Sequence, residues 1–422
     1  MIDPEKLAVI VGVGRLTGDK KRRRASRSFG SAGHRCDGDD GNDGDDSPVG
    51  MLRAAAMLAA KDAVEGSNDV EKNDDLAKRL LADVVAIGTP GMFLELRWLR
   101  VFGKRPFVNF PRAVGDAIGA SRLDDSRCIR AYDGGNGPMY LVSYFADLIS
   151  RAEVSAGPIL VGGAEMNGTF DAAVRARTSD KLEKDDTWTD THRASVRKPV
   201  DVNLFAKPNN GMEKMLLGTQ YFHSGLPPAL TLYPLLEIAY GHAKNRSANE
   251  QAEIAAGLFS RFSSVAAAHP EHSWYPKSWS KAELLRVTKD NRMIGYPYRK
   301  NMCARDEVDQ AAAILMMSWA EAIRRGISSD KIGECTYILF LHFLSLMFPF
   351  QFLFMERAMP LTPTFSLCAN RSPIVLQCAR LIEKHLDRQV WANQMKRKLH
   401  CLIFIHVFPL LWSMRLIALD SM

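Results

Sequence analysis

The chain has 422 residues, 46% of them hydrophobic and 24% charged, with a formal net charge of +7. That length allows two or three domains, and the composition fits an ordinary globular protein. The seven cysteines form no CxxC pair and the histidines are scattered, which argues against a zinc site or a disulfide framework and fits a reducing compartment.

Met1-Ile2-Asp3-Pro4-Glu5 lacks the basic and then apolar regions of a secretory signal. Residues 7–13 are a compact apolar run ending in Gly12-Val13-Gly14-Arg15, which reads as a buried strand and turn. A lone GxG is weak support for a dinucleotide site, because the third glycine, the prompt helix and the distal acid are missing. Residues 18–47 carry the basic run Lys20 to Arg24 and the acidic run Asp37 to Asp46. Neither run has apolar residues to bury, so the segment reads as a solvated, disordered insert. With no nucleic-acid motif beside it, the basic run gives no nucleic-acid partner.

Pro48 opens an Ala-rich helix over 51–64, residues 84–88 form a strand, and 113–118 form a short helix. Next comes the most informative segment, Ala131-Tyr132-Asp133-Gly134-Gly135-Asn136-Gly137-Pro138, which leads into an apolar helix over 139–149. A tight turn between a strand and a helix N-terminus is where acyl-transfer enzymes mount a nucleophile, because backbone N–H groups there stabilise negative charge. This turn has no Cys or Ser at its centre. A strand over 158–161 follows, closed by Gly162-Gly163-Ala164-Glu165-Met166. The alternation of strands and helices predicts an α/β fold with a mainly parallel sheet.

Residues 167–292 change character, with Trp188, His192, Tyr221, His223, Tyr233 and Pro234 among polar stretches. A helix is expected over 249–268, with Ile254, Leu258 and Phe262 on one face. Two readings stand equally: an inserted, partly helical subdomain covering a site, or a surface excursion away from it. Order returns over 293–310, followed by an Ala-rich strand over 311–317 and a helix reaching Arg325 with a stop at Gly326.

Taken in order, these pieces resemble the thiolase superfamily, specifically thiolase-like acetyl-CoA acetyltransferases near the sterol-carrier-type thiolases. The carrying stretches are Ala8 to Gly14, Gly134-Gly135-Asn136-Gly137-Pro138, Val161 to Met166, Tyr233-Pro234-Leu235-Leu236-Glu237, Arg261 to Ala268 and Ile294 to Ala313. The resemblance implies a layered α-β-α-β-α thiolase-like fold of two similar halves, of which residues 1–330 form the N-terminal one. It implies acyl transfer on acyl-CoA or acetyl-CoA in lipid metabolism, by a Cys thiolate with a His, a second Cys and an oxyanion hole. A coenzyme A thioester is then the substrate, with no bound cofactor and no metal, and a homodimer is expected.

Carried over by position, the nucleophile falls at Gly134, so the chain has no catalytic residue there and transfer is impaired. Substrate-binding positions by the same resemblance are Gly135, Asn136, Gly163 and Glu165. For Glu165 both a polarising role and a structural hydrogen-bonding role stand. Cys128 reads as a buried core thiol. Asp306 and Asp309 read as an acid pair or as turn caps. Trp188, His192, His223 and Tyr233 lie in the segment that shapes the acyl-CoA pocket in the family, each read as structural. Beside acyl transfer stand a non-catalytic acyl-CoA binder and a membrane-anchored protein.

Residues 331–422 do not continue the resemblance: 337–355 are nearly all Phe, Leu, Ile and Met, and a second apolar run covers 401–419. A transmembrane helix needs about 20 apolar residues, and His342, Pro349 and Gln351 interrupt this one. A buried helix and a stretch outside the family's reading frame are the other readings. Read from the last base of each codon, Met355 and Glu356 force Gly, Phe354 and Met355 allow only His or Tyr, and Met359 and Pro360 force Ala. The neighbouring codons permit His-Gly-Ala-Gly-Asp, similar to the family's His-Gly stretch. The expectation is that 335–351 is translated non-coding sequence from a eukaryotic source, with a frameshifted tail after it, and that any membrane association runs through that tail. The terminal Leu419-Asp420-Ser421-Met422 is no peroxisomal signal. An intracellular location is expected, with cytoplasm, mitochondrion and peroxisome all open.

Overall fold

The computed structural model describes residues 3–18, 47–64, 70–131, 137–191, 196–202 and 229–334. In chain order the elements are β1 (Ala8–Thr17), α1 (Pro48–Val64), α2 (Val70–Ala82), β2 (Ala86–Pro90), α3 (Phe93–Phe102), α4 (Phe110–Ala117), β3 (Cys128–Ala131), α5 (Gly137–Ser150) and β4 (Ile159–Met166). There follow α6 (Asn167–Arg175), α7 (Ser179–Glu183), β5 (Val200–Val202), α8 (Ala229–Ala243), α9 (Ala248–Ala268), α10 (Lys281–Leu285), β6 (Met293–Gly295), β7 (Tyr298–Arg299), β8 (Asp309–Ser318), α11 (Trp319–Arg324) and β9 (Gly333–Glu334). The predicted insert of 18–47 falls almost wholly outside the described residues, and the tail of 335–422 entirely so. No described helix is long and apolar enough to cross a membrane.

One seven-stranded sheet runs in the order β5-β3-β2-β4-β8-β1-β9. The pairs among β5, β3, β2 and β4 are parallel, as strand-helix alternation predicts. The pairs β4-β8, β8-β1 and β1-β9 are antiparallel, because β8 returns from far along the chain and slots between β4 and β1. The sheet is therefore α/β and mixed, with a parallel block and an antiparallel block.

Period-two alternation sends Val9 and Val11 of β1 into one core and Ala8 and Ile10 into the other. The first core gathers Leu52, Ala55 and Ala59 of α1 with Leu81, Trp98, Phe110 and Val114. The second is closed by Leu141, Phe145 and Ile149 of α5. Helix, sheet and helix thus make three layers. The only other sheet among the described residues is the two-stranded β6-β7, so they do not form the five layers implied by the resemblance.

The expected turn at Gly12-Val13-Gly14 is corrected: β1 continues through both glycines to Thr17. The glycines serve packing. A Cβ at Gly12 would lie 2.0 Å from the Ala59 carbonyl oxygen, and one at Gly14 would lie 2.0 Å from that of Ala55. Glycine on the strand against alanine on the helix lets α1 lie directly on β1. On the outer side of β1 the Asp62 carboxylate accepts the Val13 N–H at 3.0 Å, which satisfies a strand-edge donor.

Beyond the sheet a small third core holds Ala255 and Ala256 of α9, Leu284 of α10, Tyr298 and Met302. Helix α9 opens with a capping box between Ser247 and Glu250. Its buried side carries Gln251, Ala252, Ala255 and Ala256, whereas Ile254, Leu258 and Phe262 are only half-buried. The predicted face is displaced because α8 crosses closely here: a Cβ on Gly241 would meet Gln251 at 3.2 Å.

Candidate functional site

β1 and β4 are each antiparallel to β8, and β2 and β3 run parallel to β4. The carboxyl ends of β1, β2, β3 and β4 therefore share one edge, the place where open α/β sheets bind ligands. A cavity of about 90 Å³ opens at that edge. Its walls come from Arg15 to Thr17 at the end of β1, Pro90 at the end of β2 with Gly91 and Met92 after it, Gly163 to Glu165 of β4, the start of β8, and His272.

Two of the four expected binding positions are in these walls. At Gly163 a Cβ would stand 3.1 Å from Pro90 Cγ, so a side chain would press on the adjoining wall. Glu165 accepts the N–H groups of Phe93 at 2.6 Å and Leu94 at 3.2 Å, and the Asn167 side-chain amide at 3.2 Å. The first two are orphan donors of α3, whose cap residue Met92 makes no side-chain bond. Of the two roles expected for Glu165, the structural one is therefore visible. Burial pushes its carboxyl up to about 7, against the lowering pull of those N–H groups.

Gly134, Gly135 and Asn136 lie outside the described residues, but both ends of their segment are placed. Ala131 ends β3 opposite Pro90, and the Gly91 N–H donates to its carbonyl at 2.7 Å. A Cβ on Gly137 would stand 3.3 Å from Pro90 Cβ. Both ends of the segment thus abut the wall that Gly163 also touches.

Among the described residues no cysteine lines the cavity. Cys128 is fully buried in β3, and burial pushes its thiol up to about 12, so the thiolate is inaccessible. Burial also raises the thiol of Cys303, whose Sγ lies 3.5 Å from the Arg299 carbonyl. The expected acid pair separates. Asp309 is buried and accepts the Thr169 N–H at 3.0 Å and its hydroxyl at 2.7 Å, serving the start of α6. Asp306 pairs with Arg97 at 2.7 Å. Trp188 is buried and stacks on Trp98, with ring centroids 6.3 Å apart, and Tyr233 packs against the third core. Tyr221, His192 and His223 are outside the described residues. Among those described, no group of three His, Cys, Asp or Glu could hold a metal ion.

The chain is similar to thiolases. A monomeric SCP2-thiolase-like protein type 1 of Mycobacterium smegmatis matches at 24% identity and a TM-score of 0.48, over 78% of this chain and 50% of that one. The dimeric peroxisomal thiolase of Saccharomyces cerevisiae matches at 12% identity and a TM-score of 0.40, over 77% of this chain and 67% of that one. Human mitochondrial 3-ketoacyl-CoA thiolase in complex with CoA matches at 12% and 0.36, over 77% and 68%. The chain spans half the length of the first of these. No protein-family model matches, and no curated protein does. These neighbours are the group that the sequence resemblance names. At such identities and TM-scores they stand as a likeness, and the chemistry of the site rests on its own geometry.

Arg15 and His272 were not expected at a site. Arg15 directly follows the GxG, a weak signal. His272 lies within the 167–292 segment and has no motif around it that could have marked it out.

Proposed function

We propose that this chain is the coenzyme A thioester-binding half of a thiolase-like protein, and that it binds the thioester at the carboxyl-edge cavity without forming an acyl-enzyme. The observation that carries this reading is the cavity wall: strand ends meet there with no thiol among the described residues, Pro90 of that wall adjoins both Ala131 and Gly137, and the described cysteines lie elsewhere with raised pKa values. Gly134, the position that the resemblance gives to the nucleophile, has no side chain to form a covalent bond. The resemblance alone supports the finer parts acetyl-CoA as the thioester, lipid metabolism and pairing of two copies, and the cysteine pattern supports an intracellular setting. The codon re-reading of the tail supports one more, that residues from 335 onward replace a second half through retained non-coding sequence.

Titration calorimetry with coenzyme A should give saturable binding, and intact mass after incubation with acetyl-CoA should show no acetyl adduct. An adduct would refute non-covalent binding; absence of heat with coenzyme A would refute the binding site itself.

A further inference from the structure

His272 reaches the cavity from outside the sheet. Helix α9 ends at Ala268, the His269 N–H donates to the Val265 carbonyl at 3.1 Å, and the His272 N–H donates to the His269 carbonyl at 3.1 Å. The chain is thereby turned back toward the sheet. Two residues on, Trp274 is buried against the end of β1, where a Cβ on Gly18 would lie 3.2 Å from its ring. This wedge fixes His272 beside Arg15, three residues before that glycine, and both side chains belong to the same cavity wall.

Glu271 Oε1 stands 3.3 Å from His272 Nε2 and 3.4 Å from His269 Nδ1. A carboxylate on Nε2 favours the tautomer that carries its proton there and leaves Nδ1 with the lone pair. Burial and the Arg15 charge hold His272 below the usual histidine range, with Glu271 opposing them and His269 adding slightly. Near neutral pH the imidazole is thus uncharged and able to take a proton. Among the described residues the wall offers a positioned base and a cation, and no thiol.

Resting on the thioester-binding reading, we propose that His272, oriented by Glu271, acts with Arg15 to hydrolyse the bound thioester with water as the nucleophile. His272 takes one proton from a water as its oxygen bonds to the thioester carbonyl carbon. The carbonyl π pair moves onto oxygen, where the Arg15 guanidinium balances the charge. Collapse restores the C=O bond, breaks the C–S bond, and passes the His272 proton to the leaving thiolate. The products are a carboxylic acid and free coenzyme A; no oxidant or reductant is consumed. His272 and Arg15 act on the reacting atoms, and Glu271 is a positioning residue.

The test uses the full chain with acetyl-CoA, following free thiol by a chromogenic disulfide, with calorimetry on coenzyme A in parallel. The expected result is catalytic thiol release that falls about 10²-fold in His272→Asn, the lower end of general-base contributions, with coenzyme A binding by the variant still saturable. The parent rate should fall as pH drops through the imidazole titration, and His272→Asn should lose that acid limb. Glu271→Gln should shift the limb, a readout that a purely structural role would leave in place. Bound coenzyme A without thiol release, or release equal in His272→Asn, overturns the hydrolysis and leaves the binding reading standing. Absence of coenzyme A binding overturns both.

Discussion

Glu165 is held by opposed forces. Burial raises its carboxyl from 4.5 to about 7, while two backbone N–H groups of α3 favour the ionised form. The raised value means that the folded state binds the proton more tightly than the unfolded one. Its contribution to stability is therefore full below about 4.5 and is lost as pH rises toward about 7. Glu165→Gln keeps a carbonyl acceptor and removes the titration. Thermal unfolding across that window should show a flatter dependence on pH in the variant; an unchanged slope would mean that folding takes up no proton at Glu165. At this scale the sequence marks Glu165 and the buried Cys128, because each sits in or beside a recognisable strand-turn stretch. It is silent on His272, whose importance comes from what Trp274 packs against.

The contact between β1 and α1 shows how an element can be legible while its role is not. The apolar run and the Ala-rich helix are readable from periodicity, and both form. The turn expected at Gly12 and Gly14 is replaced by continuous strand, with a register shift against β8 between Ile10 and Gly12, and the two glycines admit the α1 backbone. Gly12→Ala puts a methyl carbon 2.0 Å from the Ala59 oxygen. We expect a loss of about 1–3 kcal/mol, the usual cost of overpacking, measured by urea unfolding. A variant as stable as the parent would show that α1 can slide on β1 without cost. Helix α9 gives the same lesson: its extent is readable, but its buried face is set by where α8 crosses at Gly241, a contact that no local pattern encodes.

For the whole molecule, the order β5-β3-β2-β4-β8-β1-β9 leaves β9 paired to β1 at Val9 and Ile10 just as the described residues end. The spliced transcript across codons 329–371 is expected to lack the Phe/Leu-rich block and to open into a His-Gly frame. A message that matches the chain as it stands would retire the frameshift proposal. By itself the sequence determined the α/β alternation and the positions of the most strongly patterned elements, among them β1, α1, β2, α5, β4, α9 and β8, because these depend on residue type and short-range spacing. Only the tertiary structure decided that Arg15, Pro90, Gly163 and His272 share one cavity. They are brought together by β8 inserting between β4 and β1 and by Trp274 docking at Gly18, and such long-range pairings leave no periodic trace along the chain.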